Sequence, residues 1–374
     1  MFSLSIPWKE VAPKQWNSIN RRWALHGISH LLLRRHLGRK PRPGGFISLS
    51  RDNAEAFLGN PMGSEALGAL GPRGLGLLEC DNAYERGIRS NGYRFSAAGV
   101  AFGPKVLEAP KKLGGALLRA RGLDAPGPVA RQMWETLRTM EWSDEARPAL
   151  EEHLAGADLV SGLCALLAYE TIRRGNWGLK SGKKVDRLFH PVGNCSKLMR
   201  PHLLMAGRPT GEADIASSQP FFLATMAYRG DTSAEAQGFR DLVTSPSFYE
   251  QFAAWVGLAG GDRERIKRRF LTEVLFGELK YRGKMWEALA LRFPKLAQYV
   301  ERVKCDDYRA LAIQLQNEEA RVVLGCVVPG LASRGIEAVS IHDGLLVKRE
   351  HLAETREFMA STIERETGLR PLVR

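Results

Sequence analysis

The sequence predicts an α+β fold, on three observations. Apolar residues recur at helical spacing through the middle of the chain, with Met133, Trp134, Leu137 and Met140 followed by Leu159, Leu163, Leu166, Leu167 and Tyr169. Near the C-terminus, two short β-rich runs, Ile336 to Ile341 and Leu345 to Lys348, flank His342-Asp343-Gly344, in which Asp-Gly is a strong two-residue hairpin signal. Between these regions an apolar segment ends at Asp214. Ser218 then offers an N-cap and Pro220 a preset first turn to the helical run Phe221, Phe222, Leu223, Thr225 and Met226.

Bulk properties narrow the class. The chain has 374 residues, 44% of them hydrophobic, enough to bury a large core in two or three subdomains. Its formal charge of +13 suits a polyanionic partner, because each phosphate contact releases counterions. The first 45 residues are the most lopsided: Lys9, Lys14, Arg21, Arg22, Arg34, Arg35, Arg39, Lys40 and Arg42 face only Glu10, with Trp8, Trp16 and Trp23 interleaved. A basic amphipathic helix packing Leu31, Leu32 and Leu33 on the body accounts for this stretch, and the tryptophans add stacking surfaces. Five cysteines, Cys80, Cys164, Cys195, Cys305 and Cys326, are scattered without a Cys-x-x-Cys spacing, which points to reduced thiols in a cytoplasmic protein. No apolar run reaches transmembrane length, and the opening residues lack a signal-peptide layout, so no membrane role is expected. His26 and His30 share a helix face but have no third ligand nearby.

The chain divides by composition. Residues 1–128 form an N-terminal basic and accessory region, Gly- and Pro-rich after Pro41. Within it, Tyr84 to Phe95 alternates aromatics, glycines and arginines as strands and turns do. Pro126-Gly127-Pro128 marks a boundary, and residues 129–178 are helical.

Chemistry enters through paired acidic residues. Asp214 and Asp343 each sit where a strand gives way to a turn, and a carboxylate flanked by buried strands must be solvated by water, a partner or a metal. Between them, Asp262 follows two glycines as an N-cap. Arg263 and Lys267, four apart, share one face of the helix that it opens and can point at one anion.

Taken together these segments resemble motifs A, B and C of family A polymerases, the family of bacterial DNA polymerase I and, more distantly, of the single-subunit phage and mitochondrial RNA polymerases. The matching features are the aspartate in a strand-to-helix stretch, a helix with Arg-x-x-x-Lys ending in the aromatic-Gly pair Phe276-Gly277, and the His342-Asp343 hairpin. A fourth segment, Asp186 to Asn194, resembles the one preceding motif A in that family, and all four stand in family order. The resemblance covers roughly residues 180 to 350.

It implies a right-hand polymerase fold, with an antiparallel palm sheet, helical fingers and a helical thumb beside a small N-terminal region. Residues 129–178 would be thumb-like helices, 179–230 palm with motif A, 231–305 fingers with motif B, and 306–374 palm with motif C. Asp214, Asp343 and Lys267 would be catalytic. Asp214 and Asp343, with Ile215 beside them in the ligand set, would hold two Mg²⁺ ions, Mn²⁺ being the alternative. Arg263, Lys267, Arg268, Phe276 and Gln219 would bind the incoming nucleotide, and Arg187, Asn194 and His342 the primer–template. The expected partners are a DNA primer–template and nucleoside triphosphates. A helicase or processivity factor is a further candidate partner, since no Gly-x-x-x-x-Gly-Lys loop occurs.

Departures from the family pattern shape the expectation. Gly344 stands where DNA polymerase I has a glutamate, and Gln219 falls in a motif A without the glutamate that screens the sugar 2′-position. Lys267 and Phe276 are nine apart where the family spaces them eight apart, so either the helix carries an extra residue or Arg268 takes the lysine's place. The region before residue 129 is too short for a proofreading exonuclease, and Glu79-Cys80-Asp81 reverses the order of that domain's first motif. The expectation is a DNA polymerase without proofreading. The alternatives are a single-subunit RNA polymerase or primase, and a catalytically inactive polymerase-like nucleic-acid-binding protein.

Overall fold

The computed structural model describes residues 123–374 except 157, 158, 176 and 183, and before them residues 2–4, 28, 47–49, 54, 62–72, 75–82, 92–96 and 104–106. The expected basic helix at the start of the chain therefore lies outside the described residues, apart from the strand Phe2–Leu4 and Ile28. No helix of the described residues is long and apolar enough to cross a membrane. The chain forms two compact units, one comprising Met1–Arg121, Asp144–Asn176 and Asn194–Arg200, the other Gly122–Ser143, Trp177–Gly193 and Pro201–Arg374.

The first unit holds a three-stranded antiparallel sheet in the order Ile47–Ser48, Gly92–Phe95, Leu78–Cys80. Helix Met62–Leu70 buries Ala66, Leu67 and Leu70 in one cluster with Leu77 and Leu78. Opposite each other on the ladder, Glu79 and Arg94 are joined by hydrogen bonds of 2.8 and 2.6 Å. The strands and turns expected over Tyr84 to Phe95 are represented by Gly92–Phe95; residues 83–91 lie outside the description. Helices Ala146–Gly156 and Leu159–Arg173 also belong here.

The second unit is built on a five-stranded antiparallel sheet. Its elements begin with α1 (Pro128–Arg138), β1 (Met140–Trp142), β2 (Leu203–Met205) and β3 (Arg208–Asp214). The helices α2 (Ser218–Ala227), α3 (Ala234–Thr244), α4 (Phe248–Trp255), α5 (Arg263–Phe270), α6 (Lys284–Arg292), α7 (Pro294–Lys304), α8 (Ala310–Val322) and α9 (Val328–Ala332) follow. The hairpin β4 (Ala338–Ile341) and β5 (Gly344–Lys348) and then α10 (Leu352–Thr367) complete it. The strand order is β4-β5-β3-β2-β1.

Met140 corrects the helical reading of residues 129–178. It opens β1, buried and paired with Met205, so the ladder overrides local periodicity and α1 stops at Arg138. That helical stretch is also divided between the two units.

Helix α2 buries residues on all sides, Phe221, Phe222, Leu223 and Ala224 being fully enclosed, as a central helix must. Around it, α3 to α7 are joined through aromatic rings. Phe270 of α5 meets Phe248 and Phe252 of α4 at centroid distances of 5.1 and 4.7 Å, and Phe239 of α3 meets Phe293 at 4.9 Å.

Helix α5 starts as its sequence requires, with the Asp262 side chain accepting from the Glu264 N–H. It continues into a π-helical turn over Leu271–Phe276, closed by a bond of 2.8 Å from the Gly277 N–H to the Thr272 carbonyl. Such a turn absorbs one extra residue into a helix. The displaced Val274 carbonyl accepts from the buried Lys304 Nζ at 3.1 Å. Glu273 ties the turn to α6 by accepting from the Met285 N–H and pairing with Arg269. A Cβ on Gly277 would lie 2.3 Å from the Thr272 carbonyl oxygen, so only glycine closes this turn. Gly277→Ala should therefore lower stability by roughly 1–3 kcal/mol in urea unfolding; an unchanged midpoint would contradict the turn as described.

Candidate active site

The strand β3 is antiparallel to β5 over five registered pairs, ending with Asp214 opposite Gly344. The hairpin joining β4 to β5 turns on His342 and Asp343, one residue earlier than Asp-Gly suggests, because Ile341 pairs with Gly344. His342 takes up the positive φ of 57° that this tight loop needs, and it is exposed. Asp343 thus closes the turn and directly precedes the residue facing Asp214. The sheet brings the two predicted carboxylates to one end.

Gly344 packs closely against the facing strand. A Cβ there would stand 3.0 Å from the Ala213 carbonyl oxygen and 3.2 Å from Asp214 Oδ1.

The backbone of Asp214 is fixed on its other side by the C-terminal segment. Its N–H donates to the Arg374 carbonyl at 3.0 Å and its carbonyl accepts from the Arg374 N–H at 2.9 Å. The neighbouring Ile215, buried, bridges to Val373. The Arg374 guanidinium donates to the Pro246 carbonyl just before α4.

After Asp214 the chain turns through Ser217 in the left-handed region at φ 53°, and α2 opens at Ser218. This corrects the expected cap: Ser217 holds the N-cap position without a side-chain bond. The Ser218 hydroxyl points elsewhere, donating to Glu319 Oε2 at 2.9 Å. The Gln219 amide donates to the same oxygen at 2.8 Å.

Glu319, on α8, is fully buried, and its other oxygen is paired with the Nε and a terminal nitrogen of Arg187. Arg187, expected beside a primer, is thus held by a protein carboxylate. Burial pushes the Glu319 carboxyl up, against the pull of Arg187 and the two donors from α2.

Asp343 is half-buried. Burial and the nearby Glu319 charge push its carboxyl up to about 6, and Arg187 and Lys267 oppose them. Lys267, Arg187, Glu319 and Asp343 therefore share one electrostatic environment.

Helix α5 presents the cationic side of the site. Nine regular α-helical steps would leave Phe276 about 180° around the axis from Lys267, whereas absorbing one residue in the π turn leaves about 80°. The π turn accommodates an extra residue in the helix, one of the two alternatives that the spacing leaves open. Phe276 is half-buried against the core. Arg263 is engaged with Glu250 at 3.0 Å and lies 5.3 Å from the Tyr249 ring centroid. Arg268 is exposed, donating to the Glu264 carbonyl at 3.4 Å. Asn194 belongs to the other compact unit.

Three contributors escaped the sequence reading. Tyr249 of α4 is buried, its hydroxyl within electrostatic reach of Asp343; burial raises its pKa. Glu319 falls in phase with the buried Leu311, Leu315 and Val322 of α8, so a carboxylate on an apolar stripe was the available signal. His190, also buried, bonds through Nε2 to the Ser340 carbonyl at 2.6 Å, tying the segment after Arg187 to β4.

Among the described residues no group of three or more His, Cys, Asp and Glu side chains forms a metal site. The two aspartates fit a magnesium ion nonetheless. They supply hard oxygen donors from adjacent positions, and Mg²⁺ commonly takes one or two protein carboxylates and completes its shell with water and substrate phosphates.

No protein-family model matches this chain, and no curated protein matches it. Among solved structures it is similar to the POL domain of Pol1 from M. smegmatis, in complex with DNA primer-template and dNTP. The TM-score is 0.42 and the identity 14%, over 72% of this chain and 60% of that one.

His190 makes the unit acid-sensitive. Burial, with a smaller contribution from the charge on His342, lowers its pKa from 6.5 to about 4, so the folded chain holds it neutral while the unfolded chain protonates it. Its contribution to stability is complete above pH 6.5 and is lost as pH falls toward 4. Asp343, raised from 3.8 to about 6, acts in the opposite direction over part of that window. The comparison of wild type with His190→Gln isolates the histidine: the difference in unfolding free energy between them should shrink by about 3 kcal/mol between pH 7 and pH 4. A constant difference would show that burial does not hold His190 neutral.

Proposed function

We propose that this chain is a template-directed nucleotidyltransferase, a DNA polymerase that works through two divalent ions held by Asp214 and Asp343. The observation that carries the reading is the register of β3 against the β4–β5 hairpin, which sets Asp214 opposite Gly344 and beside Asp343. Lys267 on α5 adds a cation within electrostatic reach of Asp343, as a triphosphate requires. The five-stranded sheet serves as the palm and α3 to α7 as fingers.

Magnesium bound at the aspartates supplies activation of a primer 3′-hydroxyl and neutralisation of triphosphate charge. Asp214, fixed by strand pairing on both sides, gives a rigid carboxylate. The hairpin sets Asp343, whose raised pKa makes a cation the partner that keeps it ionised. Lys267 acts as a point charge on the phosphates, and Arg263, once released from Glu250, as a forked donor on the same anion. Phe276, rotated toward the Lys267 side by the π turn, offers an apolar ring to the nascent base pair. Gln219 lines the sugar side, and Ile215 adds its backbone beside Asp214. His342, exposed at the hairpin turn, is the group that contacts the primer–template, whereas Arg187 is held on Glu319.

Extension of a labelled primer on a DNA template with Mg²⁺, supplying dNTPs and NTPs separately, tests this reading. Product with dNTPs is expected, and Asp214→Ala and Asp343→Asn should each reduce the rate at least about a hundredfold, on the order of losing one electrostatic stabiliser of a transition state. DNA binding should survive in both variants. Extension with NTPs alone would assign the chain to RNA synthesis, and DNA binding without any extension would make it a non-catalytic polymerase-like module.

A further inference from the structure

We infer that Glu319 is a positioning residue that holds the Arg187 guanidinium on its own carboxylate and so keeps it from pairing with Asp343, the hairpin carboxylate of the cation site. The inference rests on the reading of the two aspartates as the cation site.

Glu319 is fully enclosed, and both of its oxygens are committed. One accepts from the Nε and a terminal nitrogen of Arg187, the other from Ser218 Oγ at 2.9 Å and Gln219 Nε2 at 2.8 Å. Four donors fill the lone-pair directions of one carboxylate, which leaves no capacity to ligate a metal. Glu319 is therefore no third ligand.

Its partner has another anion to turn to. The Arg187 side chain is only 17% exposed, so its charge depends on a protein carboxylate rather than on water. Asp343 already feels Arg187 as an attractive charge. Removing Glu319 leaves a partly buried guanidinium beside a carboxylate meant for magnesium, and an internal cation then competes with the external one. Removing Arg187 as well abolishes the competitor.

Both halves of the ion pair are also anchored. The Asp186 N–H donates to Asn317 Oδ1 at 3.0 Å, so the segment carrying Arg187 is fixed to α8 at two points. Ser218 and Gln219 fix the start of α2 to the same carboxylate. Glu319 thereby joins the turn after Asp214 to the loop before it.

Direct titration of Mn²⁺ by electron paramagnetic resonance on the full chain, with primer–template and a non-hydrolysable dNTP present, tests the inference without any turnover. Glu319→Ala should weaken Mn²⁺ binding about tenfold, the scale of one added charge near a partly screened site. The double variant Arg187→Ala/Glu319→Ala should recover to within about threefold of wild type. Glu319→Gln, which keeps the side-chain volume, should weaken binding in the same direction and guards against a folding defect; thermal melts accompany each variant. Wild-type affinity in Glu319→Ala, or no recovery in the double variant, overturns this inference alone. An absence of Mn²⁺ binding in the wild type, with Asp343→Asn indistinguishable from it, overturns the two-aspartate reading itself.

Discussion

Everything at the candidate site depends on one register, that of β3 against β5. Side chains alternate along a strand, so a slip of one residue would turn Asp214 to the other face of the sheet. Several features lock the register. Five consecutive pairs end at Asp214 and Gly344, the hairpin turn is two residues long, and the C-terminal segment grips the far edge of Asp214 through both of its backbone groups. A ladder bonded on both sides of an acidic residue gives that residue little freedom. Pre-organisation of this kind lets a carboxylate bind a cation without first being ordered.

Around the rigid sheet edge, the cationic groups are held by protein anions. Arg187 lies on Glu319, Arg263 on Glu250, and Arg269 on Glu273. Only the first of these pairs includes a fully buried carboxylate. Glu273 is also largely buried and holds the π turn to α6, whereas the Arg263–Glu250 pair is the more exposed and contributes little to stability, so a phosphate-bearing ligand can exchange it at small cost. Such an arrangement separates scaffold from contact surface by degree of burial alone.

The α+β class was legible from local patterns, because strand ends, the hairpin and the helix caps are written in neighbouring residues. Asp262 caps α5 as its sequence says, and the hairpin differs by a single position, with His342 rather than Gly344 absorbing the left-handed turn. The proximity of Asp214 and Asp343 was legible only through the resemblance, since register over so long a separation has no local signature. Features that depend on distant partners were not legible. Ser218 looks like a helix cap until Glu319 is seen to claim its hydroxyl, and Met140 looks helical until Met205 pairs with it. The nine-residue spacing between Lys267 and Phe276 did carry a trace of the π turn, but the sequence could not say whether the helix or the lysine had moved. The border after Arg121 lies near the Pro126-Gly127-Pro128 boundary, whereas the assignment of residues 144–176 and 194–200 to the first unit follows long-range contacts that no composition shift marks.

Gly344 has a consequence for how this chain can change over generations. A new side chain at that position must press on the Ala213 carbonyl and on the carboxyl of Asp214 itself. Acquiring an acidic group there by a single substitution would disturb an existing acidic group in the same step. Change at this position therefore acts on Asp214 as well, through a displacement of a few tenths of an ångström.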